Sequence, residues 1–380
     1  MWKYLPNEIL EEIMKRLPLR EYLAMRAICF PWWISVSNAI AKDYCRPLPE
    51  LPLIVLQNED SMFYSLSTES LHRPKRQLLD HDQFCFGSVE GWLIVCDYTL
   101  KAFVKFFFLN PVTNVRIMIP SKLYIPFRYR VRGDLYVEKM VASFEPSSKF
   151  YLAALLTDHC HFAIFKPLHK SWTIIKPDRD PRTVIVDMEI IGSKLYVAIE
   201  KTPQSIVLVY DLNDTSNGPP KAEELLVTLP LFTSTGLSIL PNSTCFVVRY
   251  LGKDEASKEL YLISMTYSGE PHEIIRMEVF KLDMNKEPIA WQYVRLDDRV
   301  AFVSSCKSVV ISRDELNYNK ELISGNSIYF GFTFFCHLNP WLGLKLGKFC
   351  LTDSSIKYFP VKPSKDCGAP FPIWFVPSLW

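Results

Sequence analysis

The sequence of 380 residues contains only 13 glycines and lacks the glycine-rich loops that hold phosphate groups. Neither GxGxxG nor GxxxxGK followed by Ser or Thr occurs, so neither a dinucleotide site nor an ATP site of these kinds is indicated. The nucleophile elbow GxSxG is missing too, because the serine in residues 87–91 stands one place too early. We therefore expect no catalytic residue and no bound cofactor.

The chain has neither a strong net charge nor a long apolar run. Its 43 Lys and Arg residues are balanced by 41 Asp and Glu residues, so no overall field attracts nucleic acid. The longest apolar runs, such as residues 151–156, are far shorter than the roughly 20 residues that span a bilayer. The N-terminus has no apolar stretch of a secretory signal. We expect a cytoplasmic or nuclear protein, or both, without nucleic-acid or membrane partners.

Ten cysteines are spread along the chain without a single CxxC pair, so zinc-knuckle spacing is absent. The close cluster of possible metal ligands is His159, Cys160 and His161. On a β-strand the two histidines would share one face and could supply two ligands. Because no second cluster is spaced to complete a site of four ligands, we expect ordinary strand residues and no metal.

Residues 5–43 have the spacing of short amphipathic helices. Ile9, Ile13 and Leu17 recur every four residues beside an acidic and basic face, and Pro31 is suited to begin a third helix. Three short helices cannot bury all of their apolar side chains among themselves. The surplus requires a packing partner, which is either the following domain or another protein.

Residues 5–33, LPNEILEEIMKRLPLREYLAMRAICFPWW, resemble an F-box. The opening Leu-Pro pair, the Ile-Leu pair, the Leu-Pro break and the Ile-Cys-x-x-Trp ending stand in the family's order. The resemblance implies a Skp-type adaptor as partner and, through it, the cullin of a Skp-cullin-F-box ubiquitin ligase. Phe30-Pro31 replaces the usual polar pair, a departure that can bend the third helix and weaken adaptor binding. The residues implied to contact the adaptor are Leu5, Pro6, Ile9, Leu10, Ile13, Leu17, Pro18, Ile28 and Trp32.

From about residue 50 onward, short β-branched and aromatic runs alternate with turns rich in Pro, Asn and Asp. Hairpins recur, for example at residues 106–120, 162–177 and 277–296, and a further strand run precedes each. Because hairpins would combine into four-stranded units of about 40 to 50 residues, about seven units fit the chain. We predict a mainly β fold: a three-helix module over residues 1–45 and an irregular six- or seven-bladed β-propeller over residues 46–380. A β-sandwich is the second choice.

The β-rich part also resembles a family. The tail FPIWFVPSLW (residues 371–380), the hairpin FLNPVTNVRIMIP and the strand GWLIVCD are similar to the KIB-type β-propeller found behind an F-box in many plant proteins. The family's Phe-Asn-Pro-x-Thr element has an extra Leu109 in this chain. In that family the propeller is taken to hold the ubiquitination target. The resemblance therefore implies a non-catalytic substrate-recognition subunit.

The target-binding surface is predicted less directly. In residues 122–134, basic side chains alternate with aromatic ones, and both types are favoured as interface anchors. This pattern makes Arg128, Tyr129, Arg130 and Arg132 candidates for target binding. The alternative is an edge strand protected by positive charge.

Two other functions remain open. Asp97, Asp158, Glu189 and Asp211 lie beside predicted strands and could meet at a propeller mouth, as in a hydrolase acting on a small molecule or a glycan. Carboxylates at strand ends more often form turns. The third possibility is an F-box protein with a regulatory binding role outside any ligase.

Overall fold

The computed structural model of the protein shows a small helical module followed by a ring of antiparallel sheets. The residues that it describes are 5–42, 45, 47, 50–57, 61–74, 77–100, 103–124, 137–144, 150–166, 170–177, 180, 183–201, 204–213, 220–225, 245–268, 273–287, 289–334, 342–360 and 372–377.

The described part of the helical module contains three α-helices. Leu10 and Met14 are four residues apart on the first helix and are both buried, as the amphipathic spacing predicts. Pro31 lies in the first turn of the third helix, where its missing N–H costs nothing, so it begins that helix rather than bending it. Among the described residues, no helix is long and apolar enough to cross a membrane. The elements are α1 (Asn7–Met14), α2 (Leu19–Ala24), a short 3-10 turn (Met25–Ala27) and α3 (Phe30–Lys42).

The remaining strands form six sheet units in the described part of the chain. The first unit combines the first three strands with the last one, and the next two units are built from consecutive strands. Unit one contains β1 (Leu53–Leu56), β2 (Met62–Ser65), β3 (Ser70–His72) and β26 (Ile373–Phe375). Unit two contains β4 (Gln83–Val89), β5 (Trp92–Leu100), β6 (Phe103–Asn110), β7 (Val115–Met118) and β8 (Leu123–Tyr124). Unit three contains β9 (Val137–Phe144), β10 (Phe150–Leu156), β11 (Phe162–Lys166) and β12 (Ser171–Ile175).

Units four to six continue the pattern, and the fifth and sixth are joined by strand pairing. A 3-10 helix (Arg313–Leu322), which the sequence pattern does not predict, follows the second strand of unit six. Unit four contains β13 (Val184–Ile191), β14 (Lys194–Lys201), β15 (Gln204–Asp211) and β16 (Ala222–Leu225). Unit five contains β17 (Cys245–Asp254), β18 (Glu259–Ser268), β19 (Ile274–Asp283) and β20 (Ala290–Tyr293). Unit six contains β21 (Arg299–Ser304), β22 (Ser308–Ser312), β23 (Ser327–Phe334), β24 (Leu342–Cys350) and β25 (Ile356–Tyr358).

The innermost strands of the units contact one another in a closed ring. β26 contacts β4, β4 contacts β9, β9 contacts β13 and β13 contacts β17. β22 then pairs with β17 in parallel, and β21 of the same hairpin contacts β26. The apolar core lies between the faces of neighbouring units. The predicted mainly β propeller fold is therefore confirmed.

The last strand closes the ring. β26 pairs antiparallel with β1, so the end of the propeller segment completes the unit that its beginning starts. The side chain of Trp374, which is 1% exposed, donates a hydrogen bond from Nε1 to the Val303 carbonyl oxygen at 2.9 Å. The Trp374 carbonyl oxygen accepts one from Ser88 Oγ at 2.5 Å. One residue of the C-terminal motif thus joins three units.

Candidate functional site

Among the described residues of the helical module, five large apolar side chains are exposed, and we name them the apolar helical surface. Phe30 and Trp33 of α3 stack on each other with ring centroids 5.9 Å apart and an angle of 9° between the planes. The two helices that carry most of this surface are held together by a hydrogen bond from Ser35 Oγ to Asn7 Oδ1 at 3.0 Å. The members and their exposed fractions are Ile9 (49%), Ile28 (57%), Phe30 (71%), Trp33 (43%) and Ile34 (38%).

The nine residues that the F-box resemblance implies for adaptor contact divide into three groups. Leu10 and Trp32 lie in the core of the module, where they pack with Met14, Tyr22 and Val36. Pro6, Ile9 and Ile28 are exposed, whereas Leu5, Ile13, Leu17 and Pro18 are half-buried. Phe30, Trp33 and Ile34 were not predicted. The available signal was the Trp32-Trp33 pair, because adjacent helical residues point in different directions and one of two large rings must face outward.

The helical module packs on one end of the propeller. Glu50 Oε1 accepts a hydrogen bond from the Leu19 backbone N–H at the start of α2, at 3.0 Å. Burial raises the pKa of Glu50. Val112, in the turn between β6 and β7, packs against the core of the module. The module therefore lies at the end where β6 finishes.

A cavity of about 230 Å³ lies under the module, and we name it the module-side cavity. It is lined by Glu50, by Glu90 in the turn after β4, and by Glu255 in the turn after β17. Lys307 and Trp374 complete its inner wall, and burial lowers the pKa of Lys307. The ends of β4 and β17 consequently point towards the helical module.

Buried charges line the centre of the ring between these ends. Lys139 on β9 and Asp187 on β13 are 1% and 2% exposed, and Lys139 Nζ lies 2.7 Å from Asp187 Oδ1. Burial raises the pKa of Asp187 to about 6, although the ammonium group of Lys139 opposes this shift. Lys253 on β17 lies 2.8 Å from Glu255 and 3.7 Å from buried Glu189. The strands of three units are therefore joined by charge pairs whose members, Glu255 apart, are at most 3% exposed.

A second cavity, of about 240 Å³, opens where the innermost strands begin, and we name it the central mouth. Its charged lining residues are Glu138, Lys139, His159, Asp187, Glu200 and Arg249. The Arg249 side chain is 8% exposed, and its Nε has no hydrogen-bond partner among the described residues. Its Nη1 lies 3.8 Å from Glu200 Oε2. Arg249 is thus a buried cation with a weak local partner.

The predicted strand position of the two histidines is wrong. His159 and Cys160 lie in the turn between β10 and β11, where Asp158 Oδ1 accepts hydrogen bonds from the N–H groups of Cys160 and His161, both at 3.0 Å. His161 Nδ1 lies 2.7 Å from Asp158 Oδ2, and His159 Nε2 lies 2.8 Å from Glu138. The hydrogen bond to Glu138 raises the pKa of His159. No group of three His, Cys, Asp or Glu side chains in the described part of the chain could hold a metal ion.

The four carboxylates of the hydrolase alternative have structural roles. Asp97, Asp158 and Asp211 each accept a hydrogen bond from the backbone N–H two residues further on, at 2.9 to 3.0 Å. This is the bonding pattern of a side chain that forms a turn. Glu189 is buried on β13 beside Lys253. The four groups belong to three different units and do not form a paired acid and base.

The residues predicted to bind the target, Arg128, Tyr129, Arg130 and Arg132, lie outside the described residues. The central mouth was not predicted from the sequence. Its charged residues come from three units, with Glu138, Lys139 and His159 in unit three, Asp187 and Glu200 in unit four and Arg249 in unit five, and only the closed ring brings them together.

Comparison with solved structures found distant similarities. The protein entitled "Structure of YjhT" aligns with 12% identity and a TM-score of 0.33, over 85% of this chain and 99% of that one. A Penicillium chrysogenum α-L-arabinanase complexed with arabinobiose aligns with 10% identity and a TM-score of 0.30, over 76% and 78%. A GH43 β-1,3-galactosidase aligns with 10% identity and a TM-score of 0.30, over 62% of this chain and 48% of that one. This chain therefore spans about half of the galactosidase. Similarities this weak carry no functional conclusion.

Comparison with protein families was more specific. A search of curated proteins gave no match. The family model for the F-box domain matches residues 2–32, which contain α1, α2 and the start of α3. The family model for the KIB1-4 β-propeller matches residues 63–347, which is most of the chain. The chain belongs to the KIB1-4 β-propeller family and carries an F-box domain at its N-terminus.

Proposed function

We propose that this protein is the substrate-recognition subunit of a Skp-cullin-F-box ubiquitin ligase. The F-box domain binds a Skp-type adaptor, through which the chain reaches the cullin, and the propeller binds the target protein. The observation that carries the proposal is the apolar helical surface on a domain whose family model is the F-box. Such a ligase acts in the cytoplasm, the nucleus or both.

The exposed side chains are of the kind that a partner buries. Phe30 and Trp33 form a rigid stacked pair, and aromatic residues are enriched among the residues that dominate binding energy. Burying one large apolar side chain contributes about 1.5–3 kcal/mol, so three or four of them can stabilise a complex. The propeller leaves this surface uncovered. A separate protein is therefore needed to bury it.

The exposure of each side chain in the helical module decides which residues we assign to direct adaptor contact. We assign direct contact to Pro6, Ile9 and Ile28 from the resemblance, and to Phe30, Trp33 and Ile34 from their exposure. The half-buried Leu5, Ile13, Leu17 and Pro18 lie at the edge of this contact. Leu10 and Trp32 support it from within, because both are buried in the module's core.

The chain itself has no catalytic role in this function. A ligase subunit accelerates ubiquitin transfer by holding a target lysine near the charged conjugating enzyme, which raises its effective concentration. The carboxylates considered for hydrolysis form turns or buried pairs, which agrees with a binding role.

Direct measurement of adaptor affinity tests the proposal. The variant carries Ile9→Ser, Ile28→Ser and Trp33→Ser together, and we expect at least a hundredfold loss of affinity for a purified Skp-type adaptor in calorimetry. The control is Arg16→Ala, because that side chain is 82% exposed in the turn after α1 and carries no apolar contact in the proposed interface. Both variants should unfold near the wild-type temperature, since the changed side chains are exposed. Unchanged affinity in the triple variant would contradict the assigned surface.

A transfer assay separates a ligase subunit from a regulatory F-box protein. The complex with adaptor, cullin and RING subunit should transfer ubiquitin to a bound target, and the triple variant should abolish this transfer. Adaptor binding without ubiquitin transfer to a bound target would favour a regulatory role outside the ligase.

A further inference from the structure

The central mouth and the helical module lie at opposite ends of the ring. β17 contributes Val247 and Arg249 to the central mouth, and the residue just after β17, Glu255, to the module-side cavity. Six residues of extended strand separate Arg249 from Glu255, which corresponds to about 20 Å. A target in the central mouth therefore faces away from the adaptor and does not compete with it.

Of the positively charged groups that line the central mouth, Arg249 has the weakest pairing with the described acceptors. Lys139 donates to both oxygens of Asp187, at 2.7 and 2.9 Å, and His159 is paired with Glu138 at 2.8 Å. Among the described residues, Arg249 has only the contact of 3.8 Å to Glu200 Oε2, and its buried Nε has no partner. A buried donor without a partner is costly unless a ligand supplies an acceptor.

The chemistry of such a ligand follows from the guanidinium group. Its planar set of donors matches a carboxylate, which can accept two parallel hydrogen bonds. Glu200 is 50% exposed, so its own carboxylate can turn to solvent when another acceptor arrives. Arg249 therefore selects a carboxylate in preference to an amide of the same shape.

Two exposed apolar side chains stand where β13 and β17 begin: Val184 lines the central mouth, and Phe246 is next to the lining residue Val247. Val184 at the start of β13 is 43% exposed, and Phe246 at the start of β17 is 46% exposed. Phe246 stacks on Tyr267 with ring centroids 5.5 Å apart, which holds the ring in place. A buried cation, with one exposed apolar side chain lining the same cavity and another at the start of the cation's own strand, suits a protein segment with an acidic residue between apolar ones.

We propose that the central mouth is the target-binding site and that it takes a carboxylate side chain from an acidic, partly apolar segment of the target protein. Arg249 pairs with that carboxylate, and Val184 and Phe246 contact its apolar neighbours. The biological meaning of this site rests on the proposed ligase function, but its occupancy does not require the adaptor.

Two labelled peptides test the site on the full-length chain. The acidic peptide is a capped hexapeptide with two central glutamates flanked by phenylalanines, and the neutral peptide has glutamines in their place. Fluorescence anisotropy should show at least tenfold tighter binding of the acidic peptide. Arg249→Gln should remove this preference, whereas Arg295→Gln, an exposed change in the connection between units five and six, should keep it.

A second variant decides the matter even if Arg249→Gln does not fold. Glu200→Gln removes the competing carboxylate at a half-exposed position, so it should tighten acidic-peptide binding by about threefold to tenfold. Equal affinity of the wild type for the two peptides would overturn the proposal. So would an acidic preference retained in folded Arg249→Gln, or unchanged or weaker binding to Glu200→Gln. Because no adaptor is present, failure in this experiment leaves the adaptor-binding result untouched.

Discussion

At the scale of single residues, Trp374 contributes both packing and hydrogen bonding to the closed ring. Its ring packs against Phe302 with centroids 5.0 Å apart, and its Nε1 donates to the Val303 carbonyl oxygen in unit six. Its own carbonyl oxygen accepts from Ser88 in unit two. The loss of this side chain would therefore remove contacts of β26 with unit six, whereas the bond from Ser88 goes to the backbone of residue 374.

Trp374→Phe keeps an aromatic ring but removes the indole N–H. We expect the free energy of unfolding to fall by about 1–3 kcal/mol, because a buried carbonyl oxygen loses its donor. Trp374→Ala should cost about 3–5 kcal/mol, because it also leaves a cavity. Denaturant unfolding measures both values. The control is Tyr293→Phe at a position that is 51% exposed, which should stay within about 0.5 kcal/mol of the wild type; an equal loss there would contradict a special role for Trp374.

Asp187 makes the stability of the ring dependent on pH. Burial raises the pKa of this carboxyl from 3.8 to about 6 in the folded state, and the Lys139 ammonium group and the Leu251 N–H oppose the shift. The folded protein therefore binds the proton more tightly than the unfolded chain does. The stabilising contribution is fully present below pH 4 and is lost as the pH rises through about 6.

Asp187→Asn cannot titrate and isolates this contribution. The free energy of unfolding of the wild type minus that of the variant should decrease by up to about 3 kcal/mol between pH 4 and pH 7, since one pKa unit corresponds to about 1.4 kcal/mol. Chemical denaturation of both proteins across this range gives the difference directly. A difference that is constant or that rises with pH would show that Asp187 has an ordinary or lowered pKa in the folded protein.

Among single residues, those that form turns could be predicted from the sequence, whereas those that form buried charge pairs could not. Asn110 was expected to form a turn, and its Oδ1 accepts hydrogen bonds from the N–H groups of Val112 and Thr113 at 2.9 and 3.0 Å. Such a bond depends only on near neighbours in the chain. Lys139 and Asp187 are 48 residues apart, and each looks like an ordinary polar strand residue until the ring joins β9 to β13.

At the scale of elements, β4 and β9 approach each other unusually closely at Gly87. A Cβ atom added to Gly87 would lie 2.1 Å from the carbonyl oxygen of Met140 on β9. The register of β4 with β5 shifts between Cys85 and Gly87, which marks a β-bulge at this point. Glycine is required here because any side chain would push units two and three apart.

Gly87→Ala should therefore be strongly destabilising. The matched control is Gly331→Ala on β23, where the added Cβ would meet only side-chain atoms, the nearest being Leu346 Cδ2 at 3.0 Å. We expect the free energy of unfolding to fall by about 1–3 kcal/mol more for Gly87→Ala than for Gly331→Ala, because a backbone atom cannot move aside as a side chain can. Thermal or denaturant unfolding measures both variants. If Gly87→Ala and Gly331→Ala lost equal amounts of unfolding free energy, β4 and β9 would be able to separate without cost.

Helices and strands could be predicted from the sequence where apolar residues recur at one regular spacing or where a turn motif is present. The four-residue spacing of α1 gave its buried face, with Leu10 and Met14 inside, and the hairpin β6 to β7 was expected from its Asn-Pro turn. The 3-10 helix Arg313–Leu322 was not predicted, because most of its residues are polar and its few apolar residues do not recur at a helical spacing. The turn at His159 was predicted to be a strand. It forms because Asp158 Oδ1 accepts hydrogen bonds from the N–H groups of Cys160 and His161.

At the scale of the whole molecule, the two candidate binding sites lie at opposite ends of the ring. The helical module packs on Val112 and Glu50 where the innermost strands end, and Arg249 lies in the mouth where they begin. In the proposed function, this separation would let one chain hold the adaptor and the target together. The F-box resemblance placed the adaptor surface within residues 5–33, but the position of either site relative to the ring could not be predicted from the sequence, because it depends on how the closed ring orients strands that are far apart in the chain.

The most direct test of this account is a recovery experiment with immobilised Skp-type adaptor, the full-length chain and the labelled acidic peptide. The adaptor should retain the peptide only when the wild-type chain is present. The triple variant of Ile9, Ile28 and Trp33 should lose the adaptor while still binding the peptide in solution, and Arg249→Gln should keep the adaptor and lose the peptide. Displacement of the peptide by the adaptor, or loss of both partners with either variant, would contradict two independent sites on opposite faces.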